Sequence, residues 1–92
     1  MTVSPDAARV IRDLVRETMQ DVTVTDIEIS EDTDQDDDQI LRVLIIYDDV
    51  KPGTVGRKAV GLTRGLRRKL AELSEERFPL VEFVSVADYT DA

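Results

Sequence analysis

The chain has no cysteine, no histidine and no tryptophan, and its aromatic side chains are two phenylalanines and two tyrosines. Without thiols there is no disulfide framework and no thiolate nucleophile. Without imidazole there is no Cys/His zinc site and no histidine-based triad or proton shuttle. Ser4, Ser30, Ser74 and Ser85 therefore have no histidine to activate them. Four aromatic rings are too few for a base-stacking platform. No apolar run approaches the ~20 residues of a membrane span, and the first residues lack the basic and apolar regions of a signal peptide. No glycine-rich phosphate loop ending in GK[ST] occurs. The expectation from these absences is a cytoplasmic, non-catalytic chain with no cofactor, no metal and no membrane role.

What is present fits one small domain: 92 residues, 41% of them hydrophobic, with 20 acidic against 12 basic residues and a net charge of −8. The pattern opens with a helix. Ser4 caps it, Pro5 suits the first helical position and Asp6 complements the dipole. Ala7, Val10, Ile11, Leu14, Val15 and Met19 then recur at 3–4 spacing, making one apolar stripe that ends near Gln20 or Asp21. Residues 22–30 alternate as a strand, but Val22 and Val24 take one face while Ile27 and Ile29 take the other. A bulge near Asp26 would restore a single apolar face. The stretch 31–39 carries six carboxylates and no apolar side chain, so it reads as a mobile loop held open by its own repulsion. Residues 40–47 are almost continuously apolar, the signature of a central strand. Pro52-Gly53 marks a turn. From Val55 a stripe through Ala59, Leu62, Leu66, Leu70 and Leu73 predicts a helix of about 20 residues, with a kink or break at Gly61 and Gly65 left open. Residues 80–87 form a third strand and 89–92 a tail. The fold expected is a single α+β domain, order α-β-β-α-β, with a three-stranded mixed sheet and two helices packed on one face.

That order resembles the type II KH fold, and in particular the ribosome-binding factor A family. VTVTDIEIS (22–30) and LRVLIIY (41–47) resemble its first two strands, AVGLTRGLRRKLAE (59–72) its kinked helix and LVEFVSV (80–86) its last strand. The resemblance spans roughly residues 7–87 and implies contact with structured RNA. The sequence departs from RNA-binding KH domains in one respect. Its only GxxG, Gly53-Thr54-Val55-Gly56, precedes the helix, and the helix carries Gly61-Leu62-Thr63-Arg64-Gly65 instead.

Charge is distributed in two poles. Residues 31–38 carry −6, and residues 57–69 carry +6 with no acid among them. On a helical wheel Arg57, Gly61, Arg64 and Arg68 lie opposite the apolar stripe, with Lys58, Gly65 and Lys69 along one flank. Two glycines four residues apart would let another backbone or a phosphate approach between cations. Arg57, Lys58, Gly61, Arg64, Gly65 and Arg68 are therefore the candidate partner- or RNA-binding residues, weighed against an ordinary solvated helix face. Asp34, Asp36, Asp37 and Asp38 form the second pole. From Asp32 the alternation of acids imitates a calcium loop, yet Asp37 stands where the turn glycine belongs and Val43 where the bidentate glutamate belongs, so no metal site is assigned. Asp48 and Asp49 read as a turn with a capping acid. The function expected is a small acidic interaction module that docks a protein partner through its charged surfaces. The alternative is RNA association like that of ribosome-binding factor A, through the same basic helix. A homodimer through edge strands stays open.

Overall fold

Helix α1 (Pro5–Thr18) begins as its capping signal dictates: the Ser4 Oγ accepts a hydrogen bond from the Ala7 N–H at 3.1 Å, and Pro5 occupies the first helical position. The computed structural model describes residues 3–48 and 54–91. Of the expected stripe, Ala7, Ile11, Val15 and Met19 are fully buried, while Val10 and Leu14 are half-buried. The helix stops two or three residues short of expectation, where the Met19 N–H donates to the Val15 carbonyl and the Val22 N–H to that of Met19.

Strands β1 (Thr23–Thr33) and β2 (Gln39–Asp48) form an antiparallel hairpin, and β3 (Phe78–Ser85) pairs parallel to β2, giving the order β1-β2-β3. The β1 register shifts between Val24 and Asp26, so Thr25 is the extra residue of a bulge, and its hydroxyl donates to the Ile46 carbonyl at 3.0 Å. The bulge does what the alternation required: Val24, Ile27 and Ile29 all pack on the core. From β2, Leu41, Val43 and Ile45 enter the same core and are completely buried.

Helix α2 (Thr54–Glu72) crosses from β2 to β3 as one uninterrupted helix, without a break at Gly61 or Gly65. Leu62, Leu66 and Leu70 seat it against α1 and the sheet, and burying each stabilises the fold by roughly 2 kcal/mol. Ser74 ends it in the left-handed region (φ 59), with the Glu75 N–H donating to the Leu70 carbonyl at 2.9 Å. Both long helices therefore cover one face of a mixed three-stranded sheet in a single α+β domain.

Three expectations need correction. The acidic loop is shorter than 31–39: β1 continues to Thr33 and β2 starts at Gln39, because cross-strand pairing extends past the last apolar residue of β1. Only 34–38 remain as the connection, and they are ordered by internal hydrogen bonds rather than held open. The third strand starts at Phe78 and stops at Ser85, since parallel pairing with Ile40 begins at Phe78. The predicted tail is instead a short helix, α3 (Val86–Asp91), against β2 and β3. The Tyr89 hydroxyl donates to the Glu28 carboxylate at 2.5 Å, which places α3 on the sheet face opposite Ile27. Pro52-Gly53, the start of the GxxG, Asp49 and Ala92 lie outside the described residues.

Candidate functional site

The fold orients α2 by its three buried leucines, and this sorts the six candidate residues into two groups. Gly61, Arg64 and Arg68 face solvent, with Arg57 exposed beside them. A side chain added at Gly61 would meet nothing within 4 Å, so the backbone there is open to solvent. Lys58 and Gly65 face α1 instead. The Lys58 Nζ lies 2.8 Å from Asp21 Oδ1 and donates to the Thr18 carbonyl at 3.2 Å, placing a cation at the C-terminal end of α1. The Lys58 hydrogen bond holds the Asp21 carboxyl below its usual range; partial desolvation opposes that effect, and the charges of Lys58 and Arg57 reinforce it. A Cβ on Gly65 would sit 3.1 Å from the Leu14 Cδ2. Gly65 is therefore the place where α1 and α2 approach closely, and its open side is already filled by this chain's own leucine.

Arg67, Phe78, Val60 and Thr63, none of them a candidate from the sequence, also belong to the surface. Arg67 lies over the Phe78 ring, 5.3 Å from its centroid, a cation–π contact that fixes an otherwise flexible side chain. Val60 is two-thirds exposed (66%) and, with Thr63, Arg64, Arg67 and Arg68, lines an open hollow of about 480 Å³. A second hollow of about 440 Å³ shares Arg67 and continues past Leu70 and Ala71 to Phe78 and Pro79. Arg67 stood in the +6 run, so its charge was legible. Its orientation toward β3 was not, because Phe78, eleven residues on, meets it only once the chain reverses between α2 and β3.

Several cations of the chain are paired internally. Arg9 bonds Asp6 at 3.3 Å, and Lys58 bonds Asp21. Arg42 bridges Asp32 at 2.8 Å and Glu82 at 2.6 Å, tying all three strands together. Arg77 is held by Glu75 at 2.8 Å and Glu31 at 3.4 Å. That contact lowers the Glu75 carboxyl from its usual range, chiefly through the Arg77 hydrogen bond, against a partial desolvation. Arg64, Arg68 and Lys69 make no ion pair among the described residues, in a chain where acids outnumber bases by eight.

The acidic pole is partly self-satisfied. Asp34 turns inward: its Oδ1 accepts the Asp36 and Asp38 N–H groups at 2.9 Å each, and its own N–H donates to the Asp38 carbonyl. Asp37 takes a left-handed conformation (φ 65) to close the turn. Asp36, Asp37 and Asp38 remain exposed. No three acidic side chains among the described residues converge as a metal site would need. Among the described residues no helix is long and apolar enough to cross a membrane.

Compared with known proteins, the chain matches no family model, no curated protein and no solved structure.

Proposed function

We propose that this chain is a non-catalytic interaction module that docks an acidic surface of a protein partner on the exposed face of α2, with Arg64 and Arg68 as the principal contacts and Arg57 and Gly61 beside them. The observation that carries the proposal is the pairing pattern. Among the described residues Arg64 and Arg68 make no ion pair and stand exposed in a helical run, 57–69, that contains no acid, whereas Arg12 and Arg16 of α1, which make none either, have Asp13 and Glu17 beside them in the chain. Unpaired cations on a rigid helix steer an acidic partner and fix its register. Asp36, Asp37 and Asp38 repel the same partner from the hairpin end, so docking has a direction.

RNA association through the same helix, as the likeness to ribosome-binding factor A implies, is the competing reading. Two features weigh against it: the −8 net charge and Gly65, which is occupied by Leu14 rather than open to a phosphate. The two readings separate in one set of measurements. The tagged full chain and its R64E/R68E variant are used to capture partners from the native host, and both are titrated with structured RNA at 20–200 mM salt, a range over which phosphate contacts weaken about tenfold or more. A protein recovered by the native chain and lost with the variant supports the proposal. RNA binding that falls steeply with salt and disappears in the variant replaces it with the RNA reading. Recovery of nothing above background by either chain overturns it.

A further inference from the structure

The sheet has two outer edges, and they are built differently. β1 carries Asp26, Glu28, Glu31 and Asp32 along its length and the bulge at Thr25, devices that keep an edge from pairing with another chain. β3 has a single charged side chain, Glu82, and Arg42 neutralises it at 2.6 Å. Otherwise β3 offers Phe78, Leu80, Val81, Phe83 and Val84. Pro79 removes one donor near its start and leaves 80–85 competent to pair. Among the described residues nothing pairs with its outer side, and Phe78 and Leu80 are exposed. A strand so short of protective charge is an invitation to strand addition.

The helix beside that edge selects the occupant. The two hollows joined at Arg67 follow the flank of α2 from Val60 to Ser74 and reach Phe78 and Pro79 at the beginning of β3. That run is about 20 Å at 1.5 Å per residue, the length of roughly six extended residues. Resting on the docking face proposed above, we infer that the free edge of β3 accepts an extended acidic segment of the protein partner as a fourth strand. Carboxylates at alternate positions of that segment face Arg64, Arg67 and Arg68, and an apolar side chain enters the hollow beside Leu70 and Phe78. A second copy of this chain fits less well. Symmetric β3–β3 pairing would set two cationic α2 flanks against each other. Pairing β3 with β1 would meet the bulge and the acids of β1, and would propagate as an open filament.

The test uses the full isotope-labelled chain and a capped valine octapeptide with glutamate at positions 2, 4 and 6, so that three carboxylates and one valine share a face, at 20 mM salt. Three controls accompany it: the lysine–valine counterpart, a glutamate–valine peptide N-methylated along one backbone edge, and an eight-nucleotide uridine RNA. The expected result is at least tenfold slower amide exchange at 80–85 with the acidic peptide, and none with the lysine peptide. Affinity should fall about tenfold or more in R64E/R68E and be lost on N-methylation. Equal binding of the N-methylated peptide overturns strand addition while leaving α2 as a docking face, and so does absence of peptide binding when the host partner is still captured. Concentration-dependent protection of 80–85 in the chain alone, with a larger sedimenting species, assigns the edge to a second copy and also overturns it. So does RNA that protects 80–85 as well as the acidic peptide does.

Discussion

Gly61 and Gly65 occupy the same helix four residues apart and carry the same intrinsic penalty, about 1 kcal/mol relative to alanine. Gly61→Ala adds a methyl group to open space, so the variant should gain nearly all of that, about 1 kcal/mol. For a domain this small the gain corresponds to a rise of roughly 4–8 °C in melting temperature. Gly65→Ala gains the same propensity but places its methyl 3.1 Å from the Leu14 Cδ2, several tenths of an ångström inside comfortable contact. Leu14 is half-buried and has to shift, and overpacking of this kind costs about 1–3 kcal/mol. The net effect should lie between about zero and 2 kcal/mol of destabilisation, so the two alanine variants should differ by at least about 1 kcal/mol. A double-mutant cycle closes the argument: in a Leu14→Ala background, Gly65→Ala should recover its full gain of about 1 kcal/mol. Urea and thermal unfolding followed by circular dichroism measure all five proteins. If Gly61→Ala and Gly65→Ala shift stability equally, or if the Gly65→Ala effect is unchanged without Leu14, the close approach of α1 and α2 at Gly65 is refuted.

Two further predictions concern the ionic contacts. Glu75 is held below its usual range by Arg77, so its contribution is complete above its unfolded-state pKa of about 4.3 and is lost as pH falls through the lower folded-state value. Glu75→Gln should cost about 1 kcal/mol at pH 7, a modest figure because the pair sits at the rim. The difference from the native chain should be flat from pH 6 to 8 and shrink below pH 4; a difference that grows on acidification would exclude the pairing. Tyr89 runs the other way. Its hydrogen bond to Glu28 and that carboxylate's charge raise the phenol above its usual value, so the stabilisation of α3 is present below pH 10 and lost as the pH rises through the folded-state value. Tyr89→Phe should speed amide exchange in α3 at pH 7 and remove the alkaline loss, whereas unchanged exchange would show that Tyr89 does not hold α3.

Much of the fold was legible because it rests on short-range periodicity. The Ser4-Pro5-Asp6 start of α1 follows from capping chemistry, and the Leu62-Leu66-Leu70 stripe of α2 and the need for a bulge near Asp26 from the 3.6- and 2-residue repeats; each is found in place, while Leu73, the expected end of the stripe, lies exposed past the helix. The limits of the hairpin were misjudged because 31–33 and Gln39 contain nothing apolar to mark them as strand. Their pairing is carried by backbone hydrogen bonds and by Arg42 reaching Asp32. The α3 helix was missed for a related reason: a six-residue segment is too short for propensity to declare, and it is held by Tyr89 reaching Glu28.

The candidate site divides along the same line. That residues 57–69 form a cationic helix face, and that Gly61, Arg64 and Arg68 lie opposite its leucines, follows from spacing within one helix and needs no knowledge of the rest of the chain. Which glycine remains open, which cations are neutralised and which sheet edge is unguarded were decided only by tertiary structure. Leu14 fills Gly65, Asp21 claims Lys58, Phe78 orients Arg67 and Arg42 silences Glu82. Apart from Arg67 and Phe78, those partners stand more than thirty-five residues apart in the chain. Helical and strand periodicity report which face a residue is on, but a contact across that distance exists only once the layers have packed.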